Sequence, residues 1–143
     1  MAEQTTSSIV VDASPGEVMA VIADFAAYPV WAKGVMSADV VSGEPGQRAE
    51  TVHFELDVPP IRDAYTLTYT WHDLDVSWTL AEGRMLHRLD GSYVLKPVDE
   101  GTEVTYSLSA ELAIPMIGMI KRKGEKILID TALKGLKKRV ESL

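Results

Sequence analysis

The side chains able to do acid–base, nucleophilic or metal chemistry are few and scattered in this chain. It has 143 residues and no cysteine, which removes a thiolate nucleophile, a thiolate metal site and a disulfide framework. The three histidines, His53, His72 and His87, are too far apart to form a metal-ligand motif, and His53 and His72 fall on outward faces of their segments. No G-x-S-x-G, H-E-x-x-H, Walker or dinucleotide-binding pattern is present, and "GEPGQ" reads as a turn. No metal and no cofactor is expected. His87 is the one imidazole with inward parity, and a wall histidine is the more usual role for such a residue. Asp63 also has inward parity, but the expected strand pairing places it about 15 Å from His87, too far for a hydrogen-bonded dyad. The catalytic candidates are therefore His87 and Tyr69, the latter as a hydroxyl able to polarise a carbonyl.

The aromatic residues carry more information. Of five Tyr and three Trp, six (Tyr65, Tyr69, Trp71, Trp78, Tyr93 and Tyr106) take inward positions in alternating segments. A buried Tyr hydroxyl or Trp N–H normally finds a hydrogen-bond partner. Six such tips aimed at a dry wall of Leu and Val would be costly, whereas an interior cavity holding water or a ligand accommodates them. The alternative is that each tip reaches a backbone carbonyl or the rim of the sheet. The ligand-binding residues expected on this reading are Phe54, Leu56, Tyr65, Leu67, Tyr69 and Trp71 from the first part of the series. Trp78, Leu80, His87, Leu89, Tyr93, Tyr106 and Leu108 follow from the second part, and Met116 and Ile120 from the mouth.

Period-2 alternation positions these side chains. Val52, Phe54, Leu56 and Val58 alternate with polar residues, as do Tyr65, Leu67, Tyr69 and Trp71, and then Val76, Trp78 and Leu80. His87, Leu89, Gly91, Tyr93 and Leu95 continue the series, which Val104, Tyr106, Leu108, Ala110 and Leu112 close. Less regular strands are expected near 9–12 and 35–42. Hairpin turns at 72–75, 81–86 and 98–101 predict the pairs Tyr69–Trp78, Leu67–Leu80, Trp78–Leu89, Leu80–His87 and Tyr93–Tyr106, the last with Cβ atoms about 5 Å apart. Gly91 faces inward, as a bulge or as room for a helix or ligand.

Before the alternating series, "SPGE" opens a helix. Ser14 caps it, Pro15 suits the first helical position and Glu17 completes a capping box. Val18, Val21, Ile22 and Phe25 recur at helical spacing, and Pro29 and Gly34 bound a second short helix. A closing helix runs from about Pro115, with Ile129, Ala132, Leu133, Leu136 and Val140 on one face. Ile117, Ile120, Gly124 and Ile127 are out of phase with that face. Gly118, Gly124 and Gly135 each cost about 1 kcal/mol relative to alanine, which indicates close packing or a bend.

The totals set limits. With 46% hydrophobic and 24% charged residues, one globular domain spanning 1–143 is expected. The apolar run in "AIPMIGMIKRKGEKILI" stops at Ile120, short of the about 20 residues that a membrane span needs. "MAEQTTSSIVVD" lacks a signal-peptide pattern, so a cytoplasmic location is expected. A net charge of −7 argues against nucleic acid as a partner. The charge is uneven, because eight Lys or Arg but only three acids lie beyond residue 115. Lys121, Arg122 and Lys123 therefore offer a peripheral contact for an anionic membrane, although a basic helix more often complements its own acidic domain.

The segments "ASPGEVMAVIADFAAYPVW", "LDGSYVLKPVDEGTEVTYSLSAEL" and "IPMIGMIKRKGEKILIDTALKGLKKRVE" resemble the cyclase/dehydrase and lipid-transport branch of the START-like (SRPBCC) superfamily, closest to small single-domain actinobacterial members. The resemblance covers essentially the whole chain. It implies an α+β helix-grip fold, in which a curved seven-stranded antiparallel sheet wraps a long C-terminal helix, with two short helices after the first strand. It also implies a deep cavity for a hydrophobic small molecule such as a lipid, polyketide or quinone. The motif residues look architectural, so the resemblance assigns no catalytic residue. Binding or transport of such a molecule is the leading expectation. The alternatives are a polyketide cyclase or dehydratase acting on a bound poly-ketone, and a ligand-free interaction module using the basic helix.

Overall fold

A computed structural model describes residues 4–43, 48–58, 61–112 and 118–143, with side chains given throughout except at 58, 61 and 118–121. The element order is β1 (Thr5–Val11), α1 (Pro15–Ala23), a 3-10 turn (Phe25–Ala27), α2 (Tyr28–Trp31), β2 (Val35–Ser42), β3 (Thr51–Val58), β4 (Ile61–Trp71), β5 (Asp75–Glu82), β6 (Leu86–Val98), β7 (Gly101–Leu112) and α3 (Gly118–Glu141). The strands form one curved antiparallel sheet of seven in the order β1-β7-β6-β5-β4-β3-β2. β2 to β7 follow as a meander, and β1 closes the far edge beside β7. This is the α+β helix-grip arrangement, with α3 seated on the concave side.

Alternation decides which side of the sheet is buried. Val52, Phe54, Tyr65, Leu67, Tyr69, Val76, Trp78, Tyr93, Leu95, Val104 and Leu108 share one core with Ile129, Leu133, Leu136 and Val140 of α3. Val18, Met19, Val21, Ile22 and Phe25 close the same core from the first helices. Ser14 caps α1 as expected: its Oγ accepts the Glu17 N–H at 3.3 Å and donates to the Glu17 carboxylate at 3.2 Å. The carboxylate thus engages the hydroxyl rather than the backbone N–H of a full capping box. Gly135 explains one of the three costly helical glycines, since a Cβ there would run into the Trp31 carbonyl oxygen where α3 crosses α2. Gly124 has open space around it instead.

Tyr69 lies opposite Trp78, Leu67 opposite Leu80 and Tyr93 opposite Tyr106, as the turn positions predict. The β5–β6 register differs. Trp78 faces Gly91 and Val76 faces Tyr93, two residues away from the expected Trp78–Leu89 pairing, so every face is kept while the row moves. The physical reason is steric. The Trp78 indole occupies the space that a Cβ on residue 91 would need, so the hairpin rests where its largest side chain meets the residue that has none.

His87 is a clear correction. Leu86 pairs with Leu112 and Arg88 with Glu111, so His87 is the extra residue of a bulge. Parity flips there, burying Leu86 and leaving His87 exposed. The Leu80–His87 pair does not form among the β5–β6 partners.

Candidate functional site

The concave face carries a continuous band of rings. Tyr65 stacks on Phe54 at 5.5 Å, and Phe54 meets Tyr28 at 6.0 Å and Phe25 at 6.1 Å. Phe25 reaches Tyr69 at 5.0 Å, Tyr69 reaches Trp78 at 5.7 Å, and Trp78 reaches Tyr93 at 5.4 Å and Tyr106 at 5.6 Å. Successive strands supply successive rings because same-face residues of paired strands stand side by side.

The polar tips of this band divide into two groups. The Tyr28 hydroxyl donates to the Ile22 carbonyl at 2.5 Å, and the Trp71 N–H donates to the Ala49 carbonyl at 2.7 Å. By contrast, the hydroxyls of Tyr65, Tyr69, Tyr93 and Tyr106 and the Trp78 N–H make no hydrogen bond with a described residue. They are also absent from the sealed-off unpaired atoms, which among the described residues are the Trp31 Nε1 and the Arg88 Nε. Their tips therefore keep some accessible space, although Tyr65, Tyr69, Trp78 and Tyr93 are buried residues.

Burial pushes all five phenols well above their ordinary range, and the negative charge that any one would acquire disfavours ionisation of its neighbours. Tyr106 acts in this way on Tyr28, Tyr65, Tyr69 and Tyr93. The hydroxyls consequently remain neutral donors. The buried carboxylates are engaged elsewhere. Asp63 accepts the backbone N–H groups of Arg84, Met85 and Leu86 at 3.1, 3.1 and 3.0 Å, tying down the β5–β6 turn. Glu125 accepts from the Thr5 hydroxyl at 2.7 Å and the Ala110 N–H at 2.8 Å, bridging α3, β1 and β7.

The residues expected to bind a ligand mostly come together. Phe54, Tyr65, Leu67, Tyr69, Trp78, Tyr93 and Leu108 are buried in one core, and Leu56, Trp71, Leu80, Leu89 and Tyr106 are half-buried against it. His87 is outside this group. Met116 and the side chains of Ile120 and Lys121 lie outside the described residues, while Arg122 and Lys123 are exposed. The expected 15 Å between Asp63 and the His87 row is also wrong. The Asp63 carboxylate bonds the residue next to His87, because β4 runs on beyond Thr66, its last residue paired with β5, and the turn folds against that extension, yet no dyad forms because the His87 side chain is exposed.

Tyr28, Phe25 and Glu125 are absent from the expected site. Glu125 is traceable, since it lies four residues before Ile129 on the buried stripe of α3. An open groove of about 370 Å³, lined by residues including Val21, Asp24, Arg139 and Leu143, runs between α1 and the end of α3, apart from the aromatic band. Among the described residues no cluster of three potential metal ligands occurs, and no helix is long and apolar enough to cross a membrane.

A curved seven-stranded antiparallel sheet gripping a C-terminal helix is the START-like fold. Residues 2–141 match the family described as polyketide cyclase / dehydrase and lipid transport, and the chain belongs to that family. Solved structures agree on the fold. A START superfamily protein from Mycobacterium smegmatis superimposes with a TM-score of 0.88 at 17% identity, covering 97% of each chain. A protein from Thermus thermophilus gives 0.81 at 26% identity over 98% of each chain. The Zhui aromatase/cyclase from Streptomyces sp. R1128 gives 0.79 at 12% identity, over 99% of this chain and 94% of its own. No curated protein sequence matches.

Proposed function

We propose that this protein binds and carries a hydrophobic small molecule bearing oxygen acceptors, such as a lipid, polyketide or quinone, between its sheet and α3. The observation that carries the reading is the set of interior hydroxyls on Tyr65, Tyr69, Tyr93 and Tyr106 without a described protein partner. Aromatic and aliphatic walls supply apolar contact, and neutral phenols supply directional donors, which is the composition small-molecule sites require. Tyr106 supports it further. Its phenol is desolvated strongly enough to be pushed well above its ordinary range, yet the residue is only half-buried, as expected for a group facing an enclosed space.

Native mass spectrometry after gentle purification tests this directly. A reproducible adduct that is lost on unfolding is expected. A persistently bare chain that also takes up no lipid, quinone or polyphenol from solution would end the carrier reading.

Cyclisation or dehydration of a bound poly-ketone is the second reading, favoured by the protonated phenols, which could polarise a ketone. With His87 outside, the tyrosines would have to supply that chemistry, so turnover surviving phenylalanine at all four positions would exclude them.

A further inference from the structure

The outer face of α3 carries a row of exposed lysines interrupted by one exposed apolar residue. Lys123, Ile127, Lys134 and Lys138 are spaced at i, i+4, i+11 and i+15, so they share one side of the helix over about 22 Å. That side points away from the buried stripe of Ile129, Leu133, Leu136 and Val140, and all four side chains are exposed. The cations nearer the sheet are already occupied: Lys126 pairs with Asp130 at 2.9 Å and Lys137 with Glu141 at 2.7 Å. Lys134 adds to the field that keeps Asp130 ionised but forms no ion pair with it. The ammonium groups of Lys123 and Lys138 likewise make no ion pair or hydrogen bond with a described residue. Between these ammonium groups stands Ile127, 58% exposed, with Gly124 beside it in open space.

We infer that this stripe lies flat on an anionic lipid surface. The charge complementarity is local, because the remainder of the protein is acidic and would face away from the bilayer. An acidic protein would satisfy the lysines equally well, but a protein interface ordinarily needs a broad apolar and aromatic centre, and here one isoleucine stands alone among the lysines. A lipid surface needs no such centre, since its headgroups attract the lysines while a single side chain enters the acyl boundary. Each lysine near such a surface strengthens partitioning roughly fivefold, so three together supply roughly a hundredfold. The inference goes beyond the carrier reading and stands apart from it, because docking would proceed whatever the interior holds.

Co-sedimentation of the full chain with vesicles of phosphatidylcholine, alone or mixed with phosphatidylglycerol, tests it. Binding is expected only with phosphatidylglycerol and should fall as salt rises. The triple change Lys123→Gln, Lys134→Gln and Lys138→Gln should reduce it roughly a hundredfold, whereas Lys96→Gln on the opposite face of the sheet should leave it unchanged. Ile127→Ser, at an exposed site that folding does not need, should weaken binding severalfold while keeping the salt dependence. Equal binding to neutral vesicles, or wild-type binding by both the triple variant and Ile127→Ser, would overturn the inference. So would retention on polyglutamate without vesicle binding, which would mark an acidic protein as the partner.

Discussion

Tyr93 and Tyr106 face one another across β6 and β7 with ring centroids 4.6 Å apart and planes inclined at 58°, and neither hydroxyl bonds a described residue. The rings hold the pair together, while the hydroxyls remain available for something else. Tyr28, further along the same band, has its hydroxyl committed to the Ile22 carbonyl.

This contrast gives a first prediction. Tyr28→Phe should cost about 1 kcal/mol, because it leaves a buried carbonyl without its donor. Tyr93→Phe and Tyr106→Phe should change the stability of the empty protein by less than that. They should instead weaken any ligand that uses the hydroxyls, by about tenfold per charge-neutral hydrogen bond lost. Thermal melts with and without ligand separate the two effects.

A second prediction concerns Gly91. Adding a methyl group here forces the Trp78 indole off its position, and overpacking of this kind costs about 1–3 kcal/mol. Gly91→Ala should lower the melting temperature and shift tryptophan emission, while Gly124→Ala, in open space on an exposed helical turn, should be neutral or stabilising by about 1 kcal/mol.

A third follows from Asp63. Its carboxylate is the acceptor for three backbone N–H groups, so Asp63→Ala should destabilise by at least about 2 kcal/mol. Amide exchange should accelerate at residues 84–86 before it does elsewhere. His87→Ala, at an exposed bulge, should stay within about 0.5 kcal/mol of the parent and leave ligand binding intact. A large loss of binding on removing His87 would contradict the placement of that side chain.

The fold is legible in the sequence because it depends on repeating patterns. Alternation marks the buried faces of β3 to β7, and turn spacing sets two hairpin registers down to Tyr69–Trp78 and Tyr93–Tyr106. What escapes is non-periodic. The bulge at His87 has no sequence signature strong enough to interrupt the alternation of Leu89, Gly91, Tyr93 and Leu95, so parity alone carries the imidazole inward with its neighbours. The slide of β5 against β6 depends on where one indole fits, which is a matter of volume rather than pattern. Asp63 reads correctly as inward, but its partners are backbone groups of a turn, and turns reveal their N–H directions only once folded. Of the site itself, the residue types are readable and the state of each hydroxyl is not.

The tyrosines also give the protein a defined response to alkali. Burial raises all five phenols above the ordinary value of about 10, with mutual repulsion of the incipient phenolates adding for Tyr28, Tyr65, Tyr69 and Tyr93. A raised value means that the folded chain binds more protons than the unfolded chain once pH exceeds the unfolded phenol value. Stability must then fall with rising pH, beginning near pH 10 and steepening as more tyrosines are available to ionise on unfolding. Below that point the same groups are protonated in both states and contribute no pH dependence. Absorbance near 295 nm should therefore stay flat through about pH 10 and then rise in one step that coincides with the loss of circular dichroism. A gradual phenolate signal from the folded protein, with one or more tyrosines titrating near 10 before any unfolding, would mean that those hydroxyls face open solvent instead of an enclosed interior.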